Sequence, residues 1–423
     1  MRAGAVHAPE RALLLPDPRP PIAGLASRLR DPVRVVPAIV LLLYALWILA
    51  FFRSGHQAID LVHIGRTFAL QSHSSAVIRF DSTSSFAAGT GRDGQMYYFI
   101  AADPSNARYY LDSPSYRYER ILLPLLARLL AVGQVRLLPY TLLLLNWLAI
   151  GAGTLAVAAW LKRRRTSPWF ALAFGLYPGL LIALGDDVTE PLAYALVAVA
   201  VYLFDRAKGA WVWAAVTFAL AILARETAVL FAIPYGLSLL ATTVPSGDWG
   251  ARLGANWRRA GGFLLLAVLP FIIYKAFLTL WLGPAGLTPI DSFRLLPFAG
   301  ILHYRPLAAD QLEEIRMVIF PSLIFLAMCG WAVWRRIWRV EVAVLLINIL
   351  VLVVFLSAPS WVDITGSGRI ATGMVLAAAF CLPTFRLLTG ADYSWFLAGA
   401  ALWLSDVPFR LLAPIGHLFL RGF

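Results

Sequence analysis

The chain has 423 residues, of which 60% are hydrophobic and 14% charged, with a mean hydropathy of +0.73. A soluble domain carries roughly 25% charged residues, so a water-soluble globular protein is excluded. The formal charge of +13 does not indicate nucleic-acid binding, because the arginines sit at the ends of apolar runs and not in a separate basic domain.

Residues 1–34 are rich in Arg and Pro and read as a basic cytoplasmic tail with a short amphipathic piece near Ile22–Leu29. The run Val35–Phe52 is long for a signal sequence and far from the start, so an uncleaved first span is expected. Eleven spans follow from the apolar runs: near 35–52, 137–160, 168–184, 189–204, 210–224, 227–243, 261–282, 317–334, 340–357, 371–387 and 394–410. Apolar runs of about 17–25 residues cross a bilayer as helices, where the backbone must satisfy its own hydrogen bonds. The expected fold class is therefore an all-α polytopic helix bundle, residues 35–423, and a β-barrel is excluded by the lack of alternating segments.

An N-terminus inside the cell fits the charge bias. The cytoplasmic connections then hold Lys162 to Arg165, Arg206 with Lys208, Arg252 with Arg258 and Arg259, Arg335 with Arg336 and Arg339, and Arg386. The outer connections hold acids such as Asp186, Asp187, Glu190 and Glu226.

The first outer loop, about 53–136, is too long for a simple connector. Ile59–Leu70 and Asp93–Ala102 read as amphipathic helices, the second with Met96, Phe99 and Ile100 on one face. Glu119–Leu130, interrupted by Pro124, reads as a helix lying along the outer interface. A second outer loop, about 283–316, carries Pro284, Pro289, Pro297 and Pro306, which limit regular structure. No internal repeat is visible. Cys329 and Cys381 fall within expected spans, which argues for packing residues and against a disulfide or zinc site.

Asp93 is the leading candidate for chemistry. Gly91 and Gly94 beside it allow close backbone approach by a ligand. Tyr97 and Tyr98 could stack on a sugar or sit at headgroup level. A helix N-cap on a surface loop explains Asp93 equally well. Asp186 and Asp187 read first as caps at a helix start, and Glu190 lies deeper, ahead of Pro191. Arg225 and Glu226 share the outer face with Asp93 but also fit a solvated turn. Lys275 lies well inside a span, roughly 10 Å from its outer end at the helical rise. It either meets a lipid phosphate or snorkels to the headgroups. Arg369 follows the segment Thr365-Gly366-Ser367-Gly368, which reads as a flexible turn and a phosphate clamp, or else as an ordinary interfacial arginine. His303-Tyr304-Arg305 is a weaker candidate of that type. His56, His63 and His73 show no metal-ligand spacing.

The run Arg92-Asp93-Gly94-Gln95-Met96-Tyr97-Tyr98-Phe99-Ile100-Ala101 resembles the acidic loop motif of the GT-C superfamily of integral-membrane glycosyltransferases. Tyr118-Glu119-Arg120-Ile121-Leu122-Leu123-Pro124-Leu125, Thr189-Glu190-Pro191-Leu192 and Ala224-Arg225-Glu226-Thr227 are similar to segments of GPI-type mannosyltransferases. The likeness covers about residues 35–245. It departs where those enzymes carry Trp before the loop aspartate and this chain carries Arg92. The first loop has no Asp-x-Asp pair, so neither a metal nor another cofactor is called for.

The resemblance implies a GT-C-like fold and inverting transfer of a sugar from a polyprenyl-phosphate donor to a glycan, lipid or protein acceptor. Asp93 would act as general base. Lys275, Arg225 and Arg369 are the candidate cations for the lipid phosphate, Glu190 and Tyr97 would orient sugar or acceptor, and Arg92, Gln95, Tyr98 and Glu226 complete the candidate contacts. The Ala, Leu and Arg bias points to a bacterial inner membrane with the site facing the periplasm. The rival expectations are a glycolipid transporter, which would more often show broken spans in corresponding halves, and a non-catalytic envelope-assembly protein.

Overall fold

Asp31 opens the first helix. Its carboxylate accepts a hydrogen bond from Val33 N at 3.2 Å, Pro32 fills the first turn, and the helix α1 runs Pro32–Arg53. A side-chain cap and a proline at the first position are strong helix starts. Twenty-two residues rise about 33 Å, enough to cross the hydrocarbon core. A computed structural model describes residues 31–69, 89, 91–206, 210–241, 249–284, 294–304, 306–390 and 392–420. Most of the basic tail, the piece near Ile22–Leu29, His73, Arg305 and part of each long loop lie outside the described residues.

The described chain is helical, with an isolated antiparallel bridge between Ile64 and Gly91. After α1 come α2 (Gly94–Ala102), α3 (Pro114–Tyr118), α4 (Leu122–Leu130), α5 (Leu138–Arg163), α6 (Pro178–Gly185), α7 (Glu190–Phe204) and α8 (Trp211–Ala224). Then follow α9 (Val229–Ser238), α10 (Trp249–Leu282), α11 (Ala309–Glu314), α12 (Phe320–Trp334), α13 (Val340–Ile349), α14 (Ile364–Ile370), α15 (Thr372–Thr389), α16 (Ser394–Leu404) and α17 (Ala413–Leu420).

Among the described residues five helices are long and apolar enough to cross a membrane, or up to seven if each of two bent pairs counts as one span. The sequence suggests eleven crossings. The difference lies in length. Glu190–Phe204, Trp211–Ala224, Glu226–Ala241 and Val340–Val354 are apolar but only 10–17 residues long. At 1.5 Å per residue, 15 residues rise about 22 Å, short of the roughly 30 Å core. A hydropathy reading registers apolar runs and does not see where the helix stops.

Helix α5 packs on α1 and α7, α7 on α8, and α8 on α10. Gly153 makes one of these approaches possible, since a Cβ there would stand 3.1 Å from the Ala195 Cα on α7. Small residues at such crossings let backbones close without a hydrophobic drive from water. Helix α10 shows the opposite face of the design: Leu265, Ile272, Ile273, Phe277 and Leu280 are exposed, as a lipid-facing helix requires.

Charges collect at two ends of the bundle. At one end Lys162 pairs with Asp31 at 2.9 Å, Arg164 with Asp205 at 2.8 Å, and Arg386 donates to the Arg165 carbonyl. At the other lie Asp93, Asp186, Glu190, Arg225 and Arg369. The first long loop supplies much of that second end, but its helices differ from expectation. Ile59–Leu70 is broken into a 3-10 turn, Ala58–Val62, and a short helix, Arg66–Ala69, separated by a left-handed His63. Helix α2 is buried on every side, so it is a core helix and not amphipathic. Helix α4 buries Leu122, Leu123, Pro124 and Ala127 and exposes Leu125, Leu129 and Leu130, the pattern expected of an interfacial helix. Cys329 and Cys381 are buried free thiols.

Candidate functional site

Two glycines fix the loop that carries Asp93. Gly91 has φ +70° and bridges Ile64, and Arg92 N donates to the His63 carbonyl at 3.0 Å. Gly94 lies directly against the Asp186 carbonyl, where a Cβ has no room. The close approach expected of a ligand is thus made by the protein's own backbone. Asp93 occupies the cap position of α2 but makes no capping hydrogen bond. Its two oxygens go elsewhere: Arg117 Nη1 reaches Oδ1 at 2.9 Å and Arg369 Nη2 donates to Oδ2 at 2.9 Å.

Arg117 comes from α3, which starts on Pro114, and a bidentate pair with Asp112 at 2.8 and 2.6 Å holds its fork. Arg369 comes from α14. Asp363 caps that helix by accepting from Thr365 N at 2.8 Å, and Tyr177 donates to the Gly368 carbonyl at 2.9 Å. The segment Thr365–Gly368 is therefore helical and pinned, where a flexible turn was expected.

The network continues inward. Arg225 Nη1 lies 2.9 Å from Glu190 Oε1, and Arg369 Nη1 is 3.9 Å from the same oxygen. Arg120 donates to both oxygens of Glu226, at 2.9 and 2.6 Å, and to the hydroxyls of Tyr97 at 3.0 Å and Tyr116 at 2.6 Å. Asp186 takes Arg92 at 3.3 Å and His63 at 3.5 Å. The expected caps Asp186 and Asp187 make no capping bond to α7. Asp187 is instead fully buried at φ +48°, beside an equally buried Asn146.

Of the candidates from sequence, Asp93, Glu190, Arg225 and Arg369 meet in one ion-pair chain, which Asp112 and Arg117 extend. Glu226 pairs with Arg120 beside that chain. Arg92 stands one step away on Asp186. Lys275 is paired with Glu119 and not with Asp93. Gln95, Tyr97 and Tyr98 are buried: Gln95 accepts from Gly65 N at 2.9 Å, Tyr97 backs Arg120, and Tyr98 packs beside Phe99. These three shape the site from behind. Tyr304 donates to the Ala358 carbonyl and takes no part.

Sequence reasoning missed Arg117, Arg120, Asp112 and Tyr116. The local sequence carries no signal for them: the helix ends at Tyr118, and Arg117 and Arg120 turn to different acids.

Burial pushes the Asp93 carboxyl up, but Arg369 and Arg117 outweigh it and hold it well below the usual carboxylate range. Its side chain keeps 32% of its surface open. Burial raises Asp187 well above that range, with Asp186 adding to the rise. Burial also lowers the His63 imidazole, against the pull of Asp186. Among the described residues no group of three or more His, Cys, Asp or Glu side chains could hold a metal. The arrangement offers two guanidinium forks, already aimed at an anion, around one partly open carboxylate. Arginine forks fit phosphate as well as carboxylate.

No family model matches the chain, and a search of the curated proteins finds no match.

Proposed function

We propose that this chain is a glycosyltransferase of the bacterial inner membrane. It moves a sugar from a polyprenyl-phosphate donor to a glycan, lipid or protein acceptor of the cell envelope, with a GT-C-like fold. The N-terminus is cytoplasmic and the Asp93 site faces the periplasm. The observation that carries this reading is the pair of arginines, Arg117 and Arg369, each 2.9 Å from a different oxygen of Asp93 at the charged end of an apolar bundle.

A carboxylate held by two guanidiniums is a weak base. A donor phosphate gives those guanidiniums a second anion, and their transfer to it frees Asp93 and restores its basicity. The acceptor hydroxyl then loses its proton to Asp93 while its oxygen bonds to the anomeric carbon from the face opposite the leaving group. The bond from that carbon to the phosphate oxygen breaks, and the polyprenyl phosphate leaves with the electron pair. Arg117 and Arg369 stabilise the charge that develops on it. Glu190 keeps Arg225 and Arg369 in place, and Arg120 with Glu226 braces the wall formed by Tyr97 and Tyr116. The buried state of Asp187 and the backbone contact at Gly94 fix the loop without touching substrate.

The test is incubation of purified protein with a panel of polyprenyl-phosphate sugars and membrane extract, followed by mass spectrometry. A product heavier by one sugar, with release of polyprenyl phosphate, supports the reading. Bound but unchanged donors across the panel overturn it.

A further inference from the structure

A second feature lies at the same end of the bundle, on its outer wall. A cavity of about 500 Å³ opens between the C-terminal part of α1 and α17. That volume falls in the roughly 300–1,000 Å³ range of ligand pockets. Trp47 and Phe51 stack along α1, with centroids 5.8 Å apart, and His56 stacks on Phe51 at 4.6 Å. This aromatic wall faces Pro414 and Leu418, and Arg53, His56 and His417 line the cavity.

The basic side chains here differ from those around Asp93. Arg117, Arg225 and Arg369 are each committed to carboxylates. Arg53 and His417 have no ion-pair or hydrogen-bond partner among the described residues, and no carboxylate lines the cavity. His56 has Asp60 at 3.6 Å. An apolar groove beside a helix of membrane-spanning length, with an arginine that has no partner among the described residues and a histidine next to it, has the complementarity of an amphiphile with a negative head. Basic pockets between membrane helices take anionic lipid headgroups in this way.

We propose that this cavity is a site for an anionic glycerophospholipid of the surrounding bilayer, its acyl chain along Trp47 and Phe51 and its phosphate toward Arg53 and His417. The site is separate from Asp93 but mechanically close to it. The Trp47 ring lies beside Gly185, whose carbonyl contacts His63 at 3.1 Å, and Asp186 follows with its Arg92 pair. Trp47 Nε1 also donates to the Arg410 carbonyl at 3.1 Å, which ties α1 to the turn before α17. A lipid in the groove therefore braces the wall behind the Asp93 loop. This inference does not depend on the glycosyltransferase reading.

The test uses native mass spectrometry of the full chain, titrated in detergent with phosphatidylglycerol, phosphatidylcholine or polyprenyl monophosphate. Phosphatidylglycerol is expected to be retained over phosphatidylcholine. Arg53→Ala is expected to weaken retention about fivefold, the contribution of one basic residue near a membrane surface. Ala50→Trp, which fills the cavity, is expected to abolish it, and Asp93→Asn to leave it unchanged. Equal retention of phosphatidylcholine, retention of polyprenyl monophosphate alone, or phosphatidylglycerol binding unaltered in both Arg53→Ala and Ala50→Trp would overturn the proposal.

Discussion

The two charged ends of this bundle are built from the same residue types and to different effect. At the Lys162 end the cations lie near the ends of their own helices, half-exposed, and pair with nearby acids such as Asp31 and Asp205 or donate to backbone carbonyls. Such pairs contribute roughly 0–1 kcal/mol and need no special architecture. At the Asp93 end Arg117, Arg120, Arg225 and Arg369 are nearly buried, and each is paired with a carboxylate. Burying a guanidinium costs several kcal/mol unless it is fully paired, and well-packed apolar residues would hold the helices as well. The lesson is that the second end spends stability on charge placement, as a binding site for an anion does.

The comparison breaks most sharply at the arginines. Arg369→Ala or Arg117→Ala should reduce sugar transfer by about 10²–10³-fold, the usual loss of one group that stabilises developing charge. Equal loss from Lys162→Ala would erase the distinction between the ends. Gly94→Ala comes next. Its methyl group meets the Asp186 backbone, so about 1–3 kcal/mol of stability should go, read from thermal unfolding in detergent, with transfer falling alongside.

Asp187→Asn sharpens the contrast within the second end. The unfolded carboxyl titrates near ~4, and burial raises the folded value. Stability linked to a raised acid is full below the unfolded value and is lost as pH rises through the folded one. The neutral amide has no such loss and tolerates the left-handed backbone. Asp187→Asn should therefore unfold at a higher temperature than wild type, with a gap that widens as pH rises above the usual carboxylate range, on the order of 1 kcal/mol or more. A gap independent of pH would mean that Asp187 is charged in the fold. The smallest effect belongs to Lys162→Ala, with stability changed by less than about 1 kcal/mol and transfer untouched.

The sequence carried the positions of the apolar segments, because a run such as Val35–Phe52 has few alternatives to a membrane helix. It did not carry their lengths. α7 ends at Phe204, one residue before Asp205 pairs with Arg164, and nothing in the apolar run marks that stop. Asp93 was visible through its flanking glycines, yet cap and functional group fit the same local pattern. That its oxygens reach Arg117 and Arg369, the latter 276 residues away, and do not cap α2 is not written in the local pattern. Arg117 and Arg120 were hidden for that reason as well, since nothing in Tyr116–Arg120 reveals that Glu226 and Asp93 will meet it. Lys275 drew notice by its depth in an apolar run, and its partner Glu119 was too distant in sequence to foresee.

The central claim is that Asp93 takes the acceptor's proton once the donor's phosphate has drawn off its arginines. The most direct measurement compares wild type and Asp93→Asn in one preparation, with donor binding read by native mass spectrometry and product by the mass of the glycosylated acceptor. Retained donor with product reduced about 10²–10⁴-fold is the predicted result for loss of a general base. Turnover of Asp93→Asn at the wild-type rate would contradict the account.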